Sequence, residues 1–361
     1  MQNNAIARWM PPLMAFCLSF IIIATLAPVT GILVERQIDF WLLWLGSMVI
    51  LALPICYLEI ALAKRSKTTA LEALSKLTRD ADASSNWRLV GWLAVALIPF
   101  LAGGMLSNAS QLVSQYVTTD LAVNILFVGL TIIAFAVSFI PRQILVLLTA
   151  VAVIAALVIT NVMGTALPEW QITPLVFSEW GNATVLALVA SGLGMGLYWQ
   201  SNLAFVQQDD VATKTALPIW FAQLLAVIAF GFFAVNVQIP ALALVIAVVT
   251  STGLLLQMAR EQLAQRQINP ILQWVLLAVV TLLWAIPESG SIFNHVLVLW
   301  GLVICFIYAL FAGWIMKISH LRKSMNFANE AVYNIWRIAV RIVLPLAIVL
   351  AIISYVGQMF G

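Results

Sequence analysis

Four groups of residues in this chain have the type and spacing to do chemistry in an apolar setting. Ser191-Gly192-Leu193-Gly194-Met195-Gly196 places three glycines inside one apolar run. Glycine leaves a helix easily, and unwound backbone at membrane depth persists only where it is buried in protein or lines a cavity, where its N–H and C=O groups are offered to a solute or an ion. Gly192 and Gly196 also form a Gly-x-x-x-Gly pair, a spacing that lets two membrane helices pack closely. The residues alone leave both readings open. Thr250-Ser251-Thr252 is a hydroxyl cluster suited to a hard monovalent cation, although such hydroxyls also bond the carbonyl one turn back at no special site. Glu59 is the carboxylate placed deepest in an apolar run, as an acceptor for the amides of a broken helix or as a proton carrier. His295, after Asn294 at the start of another run, reads as an interfacial residue. Cys17, Cys56 and Cys305 fall inside apolar runs without metal or disulfide spacing and are expected to be small core residues. No nucleophile, base and orienting group converge, so an enzyme is not expected.

The elements that must position these groups are membrane helices. Hydrophobic residues make up 63% of the 361, charged residues 9%, and the mean hydropathy is +1.06. A spanning helix needs roughly 20 apolar residues. Eleven stretches qualify, at about 9–33, 39–63, 89–114, 121–140, 142–166, 182–205, 215–235, 239–260, 270–286, 292–317 and 336–359. They are too long and too continuously apolar for the alternating strands of a β-barrel. The expected fold class is therefore an all-α membrane protein of eleven transmembrane helices, in a single integral membrane domain over 1–361.

Basic residues set the orientation. Of 17 Lys and Arg, sixteen fall on one side: Arg8, Lys64, Arg65, Lys67, Lys76, Arg79, Arg88, Arg142, Lys214, Arg260, Arg266, Lys317, Arg322, Lys323, Arg337 and Arg341. Arg36 alone falls on the other. The N-terminus is thus expected in the cytoplasm and the C-terminus outside. The net charge of +3 is dispersed at helix ends, facing lipid headgroups, so nucleic acid is not an expected partner. The segment 64–88 contains Ala70-Leu71-Glu72-Ala73-Leu74-Ser75-Lys76-Leu77, a pattern for a short amphipathic helix at the cytoplasmic surface. An outside loop at 167–181, with Pro168, Trp170, Pro174 and Trp180, separates the first five spans from the next five. An inverted-repeat transporter would join its halves there.

Several segments together resemble the neurotransmitter:sodium symporters, the family of the bacterial leucine transporter. Leu53-Pro54-Ile55-Cys56-Tyr57-Leu58-Glu59, followed by a small-residue and basic exit, is similar to the second span of that family. Gly91, Ile98-Pro99, the glycine break with its trailing Gln207-Gln208-Asp209-Asp210, the Thr250-Ser251 pair, and Tyr333, Arg337, Arg341 and Pro345 follow in the family's order. The resemblance implies a 5+5 inverted-repeat core plus one peripheral helix, with repeat one at about 9–166, repeat two at about 182–317 and the last helix at about 336–359. It implies sodium-coupled symport of an amino acid or related amine by alternating access. Ala247, Thr250 and Ser251 would then hold sodium, and Ser191, Gly192, Gly194, Gly196 and Thr252 would form part of the solute site.

The first span departs from the pattern. Where the family has a glycine-rich, Asn-containing break ending in Arg-Phe-Pro, this chain has Phe16-Cys17-Leu18-Ser19-Phe20-Ile21-Ile22-Ile23-Ala24-Thr25-Leu26-Ala27-Pro28. Ile23 replaces a sodium-ligating Asn and Leu26 an outer-gate Arg, the partner acid of that Arg falls near Phe293, and Leu106 replaces a solute-contacting Tyr. The 236–239 connection is too short for the family's outer lid. β-Branched Ile21, Ile22 and Ile23 favour an intact or only bent first helix, which offers no helix end to an anionic carboxylate. Ser19, Thr25 and Gln223 are neutral, so a small neutral or amine-like solute is the expected cargo. The rival expectation is a non-transporting relative serving as a membrane subunit or sensor through a membrane-protein partner. The expected setting is the inner membrane of a bacterium, with the lipid bilayer and a small-molecule solute as partners and Na+ as the expected coupling ion.

Overall fold

A computed structural model describes residues 2–27, 36–116, 122–163, 169–198, 212–233, 241–327 and 329–360. Pro28, Pro168, the Gln207 to Asp210 segment and the 236–239 connection lie outside the described residues. All regular structure among the described residues is helical, apart from one isolated parallel bridge between Gln37 and Gln171.

Among the described residues, eight helical segments are long and apolar enough to cross a membrane. In chain order the helices are α1 (Gln2–Leu26), α2 (Ile38–Ser66), α3 (Ala70–Asp80), α4 (Leu89–Tyr116), α5 (Val123–Val137), α6 (Arg142–Met163), α7 (Phe177–Leu188), α8 (Thr213–Phe233), α9 (Ala241–Gln265), α10 (Pro270–Leu282), α11 (Gly290–Leu310), α12 (Ile318–Met325) and α13 (Glu330–Phe360). The predicted stretches at 121–140 and 270–286 form the shorter apolar helices Val123–Val137 and Pro270–Ala285. The stretch predicted at 182–205 is not one helix, because α7 stops at Leu188. The first helix begins earlier than its predicted stretch, at Gln2, and ends at Leu26. Among the described residues, π-helical turns interrupt α2 at Met48–Ala52 and α13 at Ala339–Val343, and a third closes α11 at Phe311–Ile315. Such turns admit one extra residue and re-aim the side chains around them.

α1 packs along α8, and α9 lies against both α4 and α6. α2 and α13 both flank α7, and α11 lies against α4. The outward faces carry exposed Ile132, Val151, Ile271 and Leu346, as expected of helices solvated by lipid. The amphipathic reading of 70–77 corresponds to α3, whose Leu71, Leu74 and Leu77 are buried against α4. The loop between the predicted halves is pinned to the start of α2. Thr173 donates from its N–H and hydroxyl to Asp39 at 3.0 and 2.9 Å, Gln171 N–H donates to Arg36 O at 2.8 Å, and the Arg36 guanidinium lies 4.9 Å from the Trp170 ring.

Candidate functional site

The site is built on the glycine run. After α7 ends, the backbone turns at Gly192, Gly194 and Gly196 with φ of 72°, 85° and 70°, while Leu193 and Met195 keep negative φ. Positive φ at every second residue requires glycine, and the alternation turns successive N–H groups toward one side, a concavity that receives an anion. Glu59 supplies it. The buried carboxylate accepts the Gly194 N–H, and the Gly196 N–H also points at it. A side chain is excluded at Gly194 by space as well, since a Cβ there would lie 2.9 Å from Cys305 Sγ. The glycines therefore serve a break, and the reading of Gly192 and Gly196 as a packing pair on a regular helix does not hold. Of the two readings open for Glu59, the structure displays the acceptor for amides of a broken helix.

The carbonyl groups freed by the break are collected by three other elements. Ser191 O accepts from Tyr198 OH at 2.6 Å, from Gln223 Nε2 on α8 at 3.2 Å and from Ser19 Oγ on α1 at 3.3 Å. Ser191 Oγ donates to Ala187 O at 2.6 Å and lies 3.7 Å from Met48 Sδ, and Cys305 Sγ lies 3.5 Å from Leu193 O. Glu59 Oε2, Gln223 Oε1 and, on α9, Thr252 Oγ1 are among the buried polar atoms that remain without a hydrogen-bond partner. Buried polar atoms of this kind call for a partner such as water, ion or ligand. Tyr198 was not among the predicted site residues. Its signal was a phenol two residues past the last glycine, inside an apolar run.

Opposite the break, α1 runs unbroken to Leu26, as the isoleucines predict. Ile21, Ile22 and Ile23 are fully buried, and a Cβ on Gly192 would lie 3.5 Å from Ile22 Cδ1, so isoleucine fills the space facing the turn. Thr25, counted with Ser19 as a neutral pocket group, turns its hydroxyl instead onto Ile21 O and Ile22 O of its own helix, at 2.9 and 3.1 Å.

On α9, Thr250 Oγ1 donates to Ile246 O at 3.0 Å and Ala247 O at 3.1 Å, and Ser251 Oγ donates to Val248 O at 3.0 Å. These are bonds to the preceding turn. A hydroxyl that donates in this way still presents oxygen lone pairs, so Thr250, Ser251 and the Ala247 carbonyl remain a hard-oxygen set chemically fit for sodium.

Near the end of α1, among the described residues, no ion pair joins α1 to α11. Asn108 Nδ2 on α4 donates instead to Thr25 O at 3.2 Å and to Asn294 Oδ1 on α11 at 3.3 Å, and Asn294 Nδ2 lies 3.4 Å from Asn108 Oδ1. Phe293 packs with Phe100 and Trp284 beside this pair, and Leu26 and Leu106 are buried. Sequence reasoning missed Asn108. His295 Nδ1 bonds Tyr355 OH at 2.9 Å, a tie to α13.

These features define a multi-pass helical membrane protein with a broken helix at its centre. The fold is that of a solved structure, MhsT, crystallised in complex with L-phenylalanine, which aligns with a TM-score of 0.65 at 16% identity over 95% of this chain and 98% of that one. No protein-family model matches the sequence, and no curated protein matches it. At that identity the likeness establishes the fold.

Proposed function

We propose that this chain is a secondary transporter that moves a small neutral or amine-like organic solute by alternating access, with sodium as coupling ion. The observation that carries the reading is the unwound Ser191 to Gly196 turn, held in mid-span by polar groups from α1, α2 and α8. Irregular backbone at that depth is characteristic of transporter solute sites. Gln223 Oε1 and Thr252 Oγ1, buried and unpaired, give a solute hydroxyl or amine its acceptors. That MhsT was crystallised with L-phenylalanine supports the amino acid or amine class. Ala247, Thr250 and Ser251 would hold the sodium.

The eleven-span, inverted-repeat organisation is part of the proposal, and the helix pairings support it. Exchanging the halves maps the α1 and α8 contact onto that of α7 and α2, the α6 and α9 contact onto that of α11 and α4, and the α5 and α9 contact onto that of α10 and α4. We place the protein in the inner membrane of a bacterium, N-terminus in the cytoplasm and C-terminus outside, and assign it no enzymatic step.

Sodium, compared with potassium, should raise the melting temperature of the detergent-solubilised protein, and Thr250→Ala with Ser251→Ala should remove the difference. Equal melting in both ions would sink the sodium assignment. Transport itself is tested by uptake of a panel of labelled amines and amino acids into liposomes. One observation favours a second reading, a non-transporting membrane subunit: the unbroken α1 with Ile21, Ile22 and Ile23 packed toward the break. That reading predicts a stoichiometric membrane partner in a native-membrane pull-down and no uptake by the purified protein.

A further inference from the structure

The two π-helical turns of α2 and α13 face each other, and between them lies an open apolar groove of about 560 Å³. Val49, Ile50 and Tyr57 line one wall, Val332, Ile335 and Ile338 the other. Val49, Ile50, Val332, Ile335 and Ile338 are all exposed, so the groove opens on the lipid-facing surface of a multi-pass protein. Its floor is closed where Trp336 Nε1 donates to Pro54 O at 3.0 Å, and at one end Phe327 packs against Tyr57 with ring centroids 5.4 Å apart.

Charge identifies the occupant. Beside the Phe327 end, Arg322 reaches across to Glu330 at the start of α13 at 3.1 Å, Lys323 stands exposed next to it, and both Arg322 and Arg337 act on Tyr333, the neighbour of groove-lining Val332. An apolar slot with a cationic rim at the end of a membrane helix matches a lipid with an anionic headgroup. The inner side of the same α2 turn touches the broken helix. Met48 opens the turn, its sulfur 3.7 Å from Ser191 Oγ and its carbonyl accepting Trp220 Nε1 from α8 at 2.8 Å.

We propose that this groove holds one acyl chain of an anionic phospholipid, headgroup on the Arg322, Lys323 and Arg337 rim, and that occupancy steadies the Ser191 to Gly196 turn through the π-helical turn of α2. A chain seated against Val49 and Ile50 restrains a segment that contacts both lipid and the break. Five exposed aliphatic side chains supply the contact area, and the rim supplies preference for charge. The proposal stands apart from transport, since it requires neither solute nor coupling ion.

The test uses the full chain in detergent with added phosphatidylglycerol or phosphatidylcholine of identical acyl chains. Phosphatidylglycerol should raise the melting temperature by roughly 2 °C or more over phosphatidylcholine. A phosphatidylglycerol carrying a photoreactive acyl chain should label residues 49–57 and 332–343. Ile338→Trp, and at the other end Val332→Trp, should each reduce that labelling several-fold by filling the groove from its lipid-facing wall. Lys323→Gln with Arg337→Gln should remove the preference over phosphatidylcholine while leaving labelling in place. Amide hydrogen exchange over 189–198 should slow when phosphatidylglycerol is bound. Labelling spread evenly over the lipid-facing surface, or unchanged in both tryptophan variants, would overturn the site. Groove labelling without any change in exchange at 189–198 would overturn the coupling to the break.

Discussion

The first and sixth apolar stretches of the sequence face each other at the glycine turn, yet they solve the same backbone problem in opposite ways. Residues 16–26 stay helical because three consecutive isoleucines fit the helix and fill the space beside it. Residues 189–196 leave the helix because glycine at every second position accepts φ near +70° to +85°, and because Glu59, Tyr198, Gln223 and Ser19 bond the groups set free. The difference shows that a break in a membrane helix needs two things, residues that permit it and polar side chains elsewhere that satisfy it. The first span has neither among its isoleucines.

The contrast can be broken by giving the first span what the sixth has. Ile22→Gly with Ile23→Gly removes two buried side chains and lowers helix propensity twice, and should destabilise by about 4 kcal/mol or more in thermal unfolding. If exchange of 20–26 rises while α1 stays otherwise protected, the span can be broken and its helicity rests on those two side chains. No change in stability would mean the isoleucines are not the packing that holds it straight.

Attacking the other side comes next. Glu59→Ala strands the Gly194 amide in a buried site and should cost about 2 to 3 kcal/mol, with faster hydrogen exchange confined first to 189–198. Glu59→Gln keeps an acceptor and should recover more than half of that loss. Equal damage from both variants would show that charge, rather than hydrogen bonding, holds the break. Gly194→Ala should cost about 1 to 3 kcal/mol, because φ is 85° there and the Cys305 sulfur stands in the way. Gly129, where an added Cβ would meet nothing within 4 Å, is the control and should gain or lose little.

The smallest effect sharpens the comparison rather than breaking it. Tyr198→Phe removes the 2.6 Å bond to Ser191 O but leaves the Gln223 and Ser19 donors, so a loss of about 1 kcal/mol is expected. Pairing it with Ser19→Ala should cost more than the two single changes together, as in any shared network. Strict additivity would mean that Ser19 and Tyr198 act on Ser191 O independently of each other.

Much of this was legible in the residues. The apolar runs gave the helices, because a helix immersed in lipid has no other way to bond its own backbone. The Gly-x-Gly-x-Gly spacing offered either a break or a packing pair, and the positive φ angles decided for the break; the Ile-Ile-Ile run pointed to an intact first helix. Thr25 and Asn108 were not legible in their roles. Thr25 sits in the predicted pocket segment but bonds its own helix, and Asn108 matters only because Thr25 O and Asn294 lie across from it in space. Tyr198 looked like one more apolar-run aromatic until the turn brought its hydroxyl back to Ser191 O.

Composition and local spacing by themselves determined that this is a multi-pass helical protein, where most of its helices run, and that the first of the two central ones stays intact while the other is free to unwind. These are properties of short segments, set by side-chain branching, glycine freedom and the absence of water. Which groups answer the unwound backbone was decided by tertiary structure alone. Glu59 lies 135 positions from Gly194 and Ser19 lies 172 from Ser191, and only the packing of α1, α2 and α8 around the glycine turn makes them neighbours.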